Sequence, residues 1–172
     1  MSEIDEAEIR QLEIRIGPPD IGDGDAVYPV ARLMIDGEDA LADVGKWRLG
    51  PWPAEQILTA DAPLLPALPP RRVIVYAGWP DPDGLAPKIG RQNNVVVWSD
   101  FHTVFEISDA PLDFAEAYSW APVPVPDMLF DAQQYTAEVQ RATAAREWES
   151  VHWQTALLLH SYLRESPITP GD

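Results

Sequence analysis

Asn94–His102 reads N-V-V-V-W-S-D-F-H, and this stretch decides how the middle of the chain folds. Its run of Val and Trp is typical of a β-strand. Ala86–Ile89, upstream, predicts the partner strand, because Gly90–Asn94 between them has the composition of a hairpin connection. The sequence therefore places Asn94–His102 in the second arm of a hairpin.

Alternation along this strand divides its side chains between two faces, because successive residues point to opposite sides of a sheet. One face is predicted to be a core face and comprises Val95, Val97, Ser99, Phe101, Thr103, Phe105 and Ile107. The other face is mixed and comprises Val96, Trp98, Asp100, His102, Val104 and Glu106. The mixed face thus lines up Trp98, Asp100 and His102 on one side, with about 7 Å between alternate residues.

Strand patterns dominate the chain before this hairpin. They occupy Leu12–Ile16, Tyr28–Ile35 and Arg72–Ala77, and the dipeptide Asp36-Gly37 predicts a tight hairpin turn after the second of them. We also expect a short helix from Pro53, since proline suits the first helical position.

Helical patterns appear only near the end of the chain. Asp131, with Gln134 three residues on, resembles a capping box at the start of a helix. A second helix is predicted over Trp148–Leu163, where a broad apolar stripe comprises Trp148, Val151, His152, Thr155, Leu158, Leu159 and Tyr162.

Strands first and helices last predict an α+β fold. We expect an antiparallel β-sheet in the N-terminal two thirds, packed against two C-terminal helices. At 172 residues the chain is predicted to form a single domain over 1–172, with residues 1–8 and 165–172 as flexible tails. The hydrophobic content of 46% and the seven Trp residues are typical of a chain with a packed core.

The charge and composition of the chain restrict the kinds of partner that the protein can bind. The formal net charge is −16, from 28 Asp and Glu against 12 Lys and Arg. Such a field repels phosphate backbones and anionic lipids, so we expect no nucleic-acid and no membrane partner, whereas a basic protein is permitted. An acidic surface that only maintains solubility is the alternative. The acidic N-terminus predicts no secretory signal, and we expect a cytoplasmic protein.

The sequence contains only weak indications of a catalytic, metal-binding or ligand-binding site. With no Cys, thiolate nucleophiles and Cys-ligated zinc are excluded, and the common nucleotide, hydrolase and metalloprotease motifs are absent. Asp100 beside His102 could orient an imidazole or hold a ligand, but no nucleophile or third metal ligand accompanies them. Trp79, in a Pro- and Gly-rich loop, is a further candidate binding residue or a lid over the core. We therefore predict no catalytic residues, no metal and no cofactor.

Three segments in order carry a family resemblance: Arg71–Tyr76, then V-V-V-W-S-D-F at Val95–Phe101, then F-D-A-Q-Q-Y-T-A-E-V-Q-R at Phe130–Arg141 with Trp148-Glu149 after it. Together they resemble an uncharacterised family of small proteins of high-GC bacteria, over about the last two thirds of the chain. The resemblance implies a Cys-rich loop before the V-V-W strand, but Gly78–Gly84 contains no Cys here. It implies a shared fold and no particular activity.

Two functional hypotheses follow. The first is a non-enzymatic acidic binding or regulatory protein, such as an immunity-type inhibitor of a basic toxin. The second is a small-molecule-binding domain, or an enzyme without a recognisable signature, that uses the face carrying Trp98, Asp100 and His102. It requires those side chains to border a concave, partly apolar pocket.

Overall fold

A computed structural model of the chain describes residues 8–19, 28–41, 49–78, 84–104 and 119–165. The strands are β1 (Ile9–Arg10), β2 (Leu12–Gly17), β3 (Val30–Ile35), β4 (Leu49–Pro53), β5 (Arg71–Arg72), β6 (Tyr76–Gly78), β7 (Gly84–Gln92), β8 (Val95–Val104), β9 (Ser119–Pro122) and β10 (Met128–Asp131). The α-helices are α1 (Ala54–Ile57), α2 (Ala132–Ala144) and α3 (Val151–Glu165), with a 3-10 helix at Glu147–Glu149. The predicted α+β fold, with a largely antiparallel sheet followed by two C-terminal helices, is confirmed.

The strand order makes the sheet return to its starting segment. Its path runs β1-β10-β8-β7-β6-β4-β3-β2, while β5 pairs with β7 and β9 pairs with β8. The two ends of this path, β1 and β2, are separated in the chain by Gln11 alone. β1 lies parallel to β10, whereas β2 lies antiparallel to β3, so one extended segment joins both ends of the sheet.

Local turn signals are confirmed. Asp36 and Gly37 have φ values of 54° and 82°, as the central residues of a type I′ turn require, and Ile35 bridges to Glu38 across them. The predicted β7–β8 hairpin also forms, but β7 extends to Gln92. The connection is therefore only two residues long, at positions 93 and 94.

The predicted assignment of faces in β8 is wrong before Asp100 but correct for Phe101, because β8 contains a β-bulge. Val96 and Trp98 are fully buried in the main core cluster, as is Phe101 at 1% exposure beyond the bulge. Val97 is buried outside that cluster, and Val95 is only half-buried. Asp100, with φ of 49°, changes which side of the sheet the following residues face. The residues that face the core therefore have even numbers before Asp100 (Val96 and Trp98), whereas directly after it the core residue is Phe101.

An aromatic cluster fills the core between β8, β10 and α2. The ring of Trp98 lies 5.2 Å from that of Phe130 and 6.3 Å from that of Tyr135, measured between centroids. Trp98 Nε1 donates a hydrogen bond of 3.0 Å to the Tyr135 hydroxyl, which donates one of 2.8 Å to the Leu64 carbonyl. Burial raises the pKa of Tyr135, so this hydroxyl stays protonated. The polar atoms of both rings are thus satisfied inside the core.

Helix α2 covers one edge of β2 through its side chains. Gln134 accepts from the Leu12 amide and donates to the Leu12 carbonyl, at 3.3 and 2.7 Å. Glu138 accepts from the Ile14 amide at 2.7 Å, and Arg141 donates to the Ile14 carbonyl at 2.9 Å. Their spacing of four and three residues places the three side chains on one helix face. They occupy the hydrogen-bonding groups that a further strand would otherwise use.

The start of α2 follows half of the predicted capping box. The Asp131 carboxylate accepts from the amides of Gln133 and Gln134 at 3.0 and 2.9 Å, which confirms it as the N-cap. The Gln134 side chain bonds to Leu12 instead of reaching back to Asp131. Contact with a distant strand has therefore replaced the reciprocal half of the motif.

Helix α3 covers little of the sheet. It begins at Val151, three residues later than predicted, because Trp148 lies in a separate 3-10 helix, and its main contacts are with that 3-10 helix. Leu157 is buried and Trp153 is partly buried, whereas Val151, Leu158 and Tyr162 of the predicted apolar stripe are exposed. Apart from Trp148, which is buried in the 3-10 helix, the predicted stripe therefore points away from the core. No helix among the described residues is long and apolar enough to cross a membrane.

Candidate functional site

The bulge in the β7–β8 hairpin arises opposite a proline. Ala86 pairs with His102 and Lys88 pairs with Ser99, so Pro87 alone stands opposite two residues of β8. Proline has no amide hydrogen to donate to the ladder, and sheets accept it mainly at bulges and edges. The bulge leaves the backbone carbonyls around Pro87 and Asp100 in need of other donors.

Arg72 supplies those donors from the neighbouring strand β5. Its Nη1 donates to the carbonyls of Ala86 and Asp100, at 2.8 and 2.5 Å, and its Nη2 donates to the Asp100 carboxylate at 2.7 Å. The Arg72 side chain is only 1% exposed. A buried guanidinium requires such partners, because an unpaired charge in the interior is very costly.

The Asp100 carboxylate gathers two further side chains. Lys88 Nζ lies 3.3 Å from its Oδ2, and His102 Nε2 lies 2.9 Å from its Oδ1. We call Arg72, Lys88, Asp100 and His102 the Asp100 cluster. Burial alone would raise the pKa of Asp100, but the hydrogen bonds from Arg72 and Lys88 outweigh it and lower the pKa. The carboxylate is therefore ionised at neutral pH.

The structure brings together two of the four predicted site residues. Asp100 and His102 are in direct contact, and their side chains are 44% and 22% exposed. Trp98 was predicted to share their side of the strand, and this is wrong: it is fully buried on the core side, because the bulge follows it. Trp79 lies in residues 79–83, outside the described part of the chain.

The arrangement favours binding of a negative group over base catalysis. An aspartate can orient a histidine for proton transfer, but here the same carboxylate is also shared by Arg72 and Lys88. Two permanent cations surround one carboxylate, so the cluster is locally positive in a protein of net charge −16. Within the described residues, no group of three or more His, Asp or Glu side chains is placed to hold a metal ion.

A concave region lies at the start of α2, away from the Asp100 cluster. It has a volume of about 500 Å³ and is lined by Arg91 and Asn94 of the β7–β8 hairpin and by Asp131, Gln133, Thr136 and Gln140. Its charged groups already have roles, since Arg91 Nε donates to the Asn93 carbonyl and Asp131 caps the helix. We assign no ligand to it.

Arg72 and Lys88 are the cluster members that the sequence prediction missed. Lys88 could have been found, because the predicted hairpin pairs β7 with β8 and a proline inside a strand signals a bulge. Arg72 carries no such signal. Its guanidinium reaches Asp100 across 28 positions of the chain, and only the packing of β5 beside β7 creates that contact.

Comparison of the chain with protein-family models, curated proteins and solved structures finds no match. The resemblance to small proteins of high-GC bacteria therefore stays a prediction.

Proposed function

We propose that the protein is a non-enzymatic binding protein that holds a basic protein partner, in the manner of an immunity-type inhibitor. The observation that carries the proposal is the excess of exposed carboxylates. With 28 acidic residues and 12 Lys and Arg, most acids lack a cation even if every cation is paired. Among the described residues, the exposed carboxylates without an ion pair are those of Glu38, Glu55, Asp61, Asp127, Asp131 and Glu147, and of these Asp131 caps α2.

Three of these acids lie on adjoining segments. Glu55 is in α1 and Asp61 follows it, while Glu147 begins the 3-10 helix. Arg146 Nη1 donates to the Leu58 carbonyl at 2.7 Å, which brings the 3-10 helix beside the segment after α1. We call Glu55, Asp61 and Glu147 the acidic patch, and it offers three unpaired negative charges to a partner.

An acidic surface of this kind acts mainly on the association rate. Complementary charge steers a basic partner toward the surface, and the effect weakens as salt screens it. Binding should therefore be tightest at low ionic strength. A catalytic site would require reactive side chains that converge on a substrate, whereas a charged binding surface does not.

The experiment is affinity capture with the full chain at low salt, followed by titration calorimetry with the protein captured. We expect a basic partner whose affinity falls with salt. Neutralising the patch by Glu55→Gln, Asp61→Asn and Glu147→Gln should weaken binding on the order of tenfold or more. Recovery of no partner, or of one whose affinity is the same in this variant, would refute the proposal.

The matched control removes the same number of charges from a different part of the chain. Glu8, Glu13 and Glu38 lie in or beside β1 to β3, and each is exposed. Their replacement by Gln changes the net charge equally, so it should reproduce only the general loss of attraction. An equal loss in both triple variants would show that net charge matters and the acidic patch does not.

The Asp100 cluster supports a second candidate function, the binding of a small anionic ligand. Lys88 is 36% exposed and His102 is 22% exposed, so both are accessible beside the ionised Asp100. Inorganic phosphate serves as the probe, since a ligand that binds the folded state raises the melting temperature. We expect a rise that Lys88→Met removes. No rise at millimolar phosphate, or the same rise in the variant, would exclude this candidate.

A further inference from the structure

Two arginines on neighbouring strands have no acidic partner. Arg71 of β5 and Arg91 of β7 form no ion pair within the part of the chain that the structure describes. All other described Lys and Arg side chains form one, and these are Arg10, Arg15, Arg32, Arg72, Lys88, Arg141 and Arg146. With 28 Asp and Glu against 12 Lys and Arg, a shortage of carboxylates does not explain the exception. We call Arg71 and Arg91 the arginine pair.

The pairing of β5 with β7 places both arginines on one side of the sheet. Arg71 lies directly opposite Ile89, and Arg91 is two positions farther along β7. Paired residues, and alternate residues of one strand, point to the same side of a sheet, so the two arginine side chains do so too. Diagonal neighbours of this kind have Cα atoms about 7–8 Å apart, which is within reach of long side chains. Both guanidinium groups can therefore contact one anion between them.

This side of the sheet is opposite to the Asp100 cluster. Arg72 and Lys88 pair with each other one position away, so their side chains point to the other side. Arg91 lines the concave region at the start of α2, but Arg71 does not. The arginine pair is thus separate from the Asp100 cluster and is not enclosed by that concave region.

Each guanidinium group is held by one hydrogen bond and keeps further donors. Arg71 Nη2 donates to the Ala62 carbonyl at 3.3 Å, and Arg91 Nε donates to the Asn93 carbonyl at 2.9 Å. Among the described residues, neither Nη1 of Arg71 nor either Nη atom of Arg91 has an acceptor. Arg71 Nε is buried and has none either. Because a buried N–H without an acceptor is costly, the contacts of the chain alone do not satisfy Arg71.

We propose that the arginine pair binds the phosphate group of a small molecule. Two like charges side by side repel each other, and an anion between them replaces that repulsion with attraction. Each guanidinium can donate two parallel hydrogen bonds to phosphate oxygens, and two such groups match the charge of a phosphate dianion. Arg91 is exposed and Arg71 is half-buried, so the site is open to solvent.

The charge of the whole protein favours a small ligand over nucleic acid. A net charge of −16 repels a long run of phosphates, whereas a single phosphate group interacts mainly with the two nearby cations. Inorganic phosphate and small phosphate monoesters carry the same group, and both fit the arginine pair. The proposal does not depend on the basic partner, which would bind the acidic patch, and either can fail alone.

The first experiment compares melting temperatures of the full chain in phosphate and in sodium chloride of equal ionic strength. The chloride control is needed because salt alone reduces the repulsion among the carboxylates. For an open site with two cations we expect a dissociation constant on the order of 1 mM. At that affinity, 10 mM phosphate should raise the melting temperature by about 3–6 °C above the chloride control.

Variants of the arginine pair test whether it is the site. Arg91→Met should remove most of the rise, and because Arg91 is exposed the change leaves the core intact. Arg91→Lys keeps the charge but loses the paired hydrogen bonds, so it should bind phosphate more weakly than Arg91 and more tightly than Met. The matched control, Arg15→Met, removes one exposed cation from β2 and should keep the rise.

The second experiment is titration calorimetry with inorganic phosphate, glycerol phosphate and a short single-stranded DNA. Binding of either small phosphate that Arg91→Met abolishes supports the proposal. Tighter binding of glycerol phosphate would indicate a phosphate monoester as the ligand, and equal binding would indicate phosphate itself. Tighter binding of the DNA than of both would overturn the proposal.

The melting experiment can also overturn it. No rise beyond the chloride control, or an equal rise in Arg91→Met, would show that the arginine pair binds no phosphate. A rise that Lys88→Met removes and Arg91→Met leaves unchanged would assign the anion to the Asp100 cluster instead.

Discussion

Replacement of Tyr135 by Phe tests the hydrogen-bond chain in the core. The substitution keeps the ring, which is fully buried, and removes only the hydroxyl. That hydroxyl accepts from Trp98 Nε1 and donates to the Leu64 carbonyl. Both partners lie in the interior, so each loses its hydrogen bond without access to bulk water.

The expected cost follows from the two groups left without a partner. A buried polar group without a hydrogen bond costs about 1–3 kcal/mol. For one donor and one acceptor, we expect Tyr135→Phe to lower the free energy of unfolding by about 2–4 kcal/mol. In a chain of this size, that corresponds to a fall of roughly 5–15 °C in melting temperature.

The assay is urea unfolding followed by tryptophan fluorescence, with the slope of free energy against urea compared between variants. Tyr162→Phe is the control, since it removes the same atom from a side chain that is 65% exposed, and it should cost less than about 0.5 kcal/mol. A loss below about 0.5 kcal/mol for Tyr135→Phe would refute the reasoning, because the two groups would then have found other partners.

Three further predictions concern other parts of the fold. Glu138→Ala removes the acceptor of the Ile14 amide and should cost about 1–2 kcal/mol in urea unfolding, with a greater tendency to aggregate because the β2 edge is uncovered. Asp131→Ala removes the N-cap of α2 and should cost about 1 kcal/mol in the same assay. Asp100→Asn should destabilise at pH 7 and have less effect near pH 3. The lowered pKa of Asp100 stabilises the fold above the unfolded value of about 4, and this is lost as pH falls through the folded pKa.

Each of these has a result that would contradict it. Gln140 is exposed on α2, so Gln140→Ala is the control and should change the free energy of unfolding very little. If Glu138→Ala loses no more stability than this control, the bond from Glu138 to the β2 edge does not stabilise the fold. A neutral Asp131→Ala would mean that water caps the helix as well as the carboxylate does. If Asp100→Asn keeps the same dependence of stability on pH between 5 and 2, another carboxylate is responsible for it.

Local patterns in the sequence predicted the elements whose causes are local. The Asp36-Gly37 turn, the β7–β8 hairpin and the Asp131 cap depend on residues a few positions apart, and all three form. The two C-terminal helices also follow from short-range periodicity. These features gave the α+β class without knowledge of any long-range contact.

The faces of β8 could not be predicted from alternation. Both sides of the strand are apolar up to Trp98, so the pattern alone does not say which side the core takes. The polar Asp100 and His102 suggested that even positions face outward, but the bulge opposite Pro87 reverses the sides between Trp98 and Phe101. A one-residue change in register moves every later side chain to the other face.

The Asp100 cluster and the exposure of the apolar side chains of α3 were decided by tertiary structure. The sequence by itself determined that Asp100 and His102 lie close together, because alternate residues of a strand are neighbours. Only the packing of β5 beside β7 brought Arg72 to the bulge, and only the folded chain shows that Val151, Leu158 and Tyr162 of α3 are exposed. Contacts between distant segments depend on how whole elements pack, and local residue spacing carries no record of that.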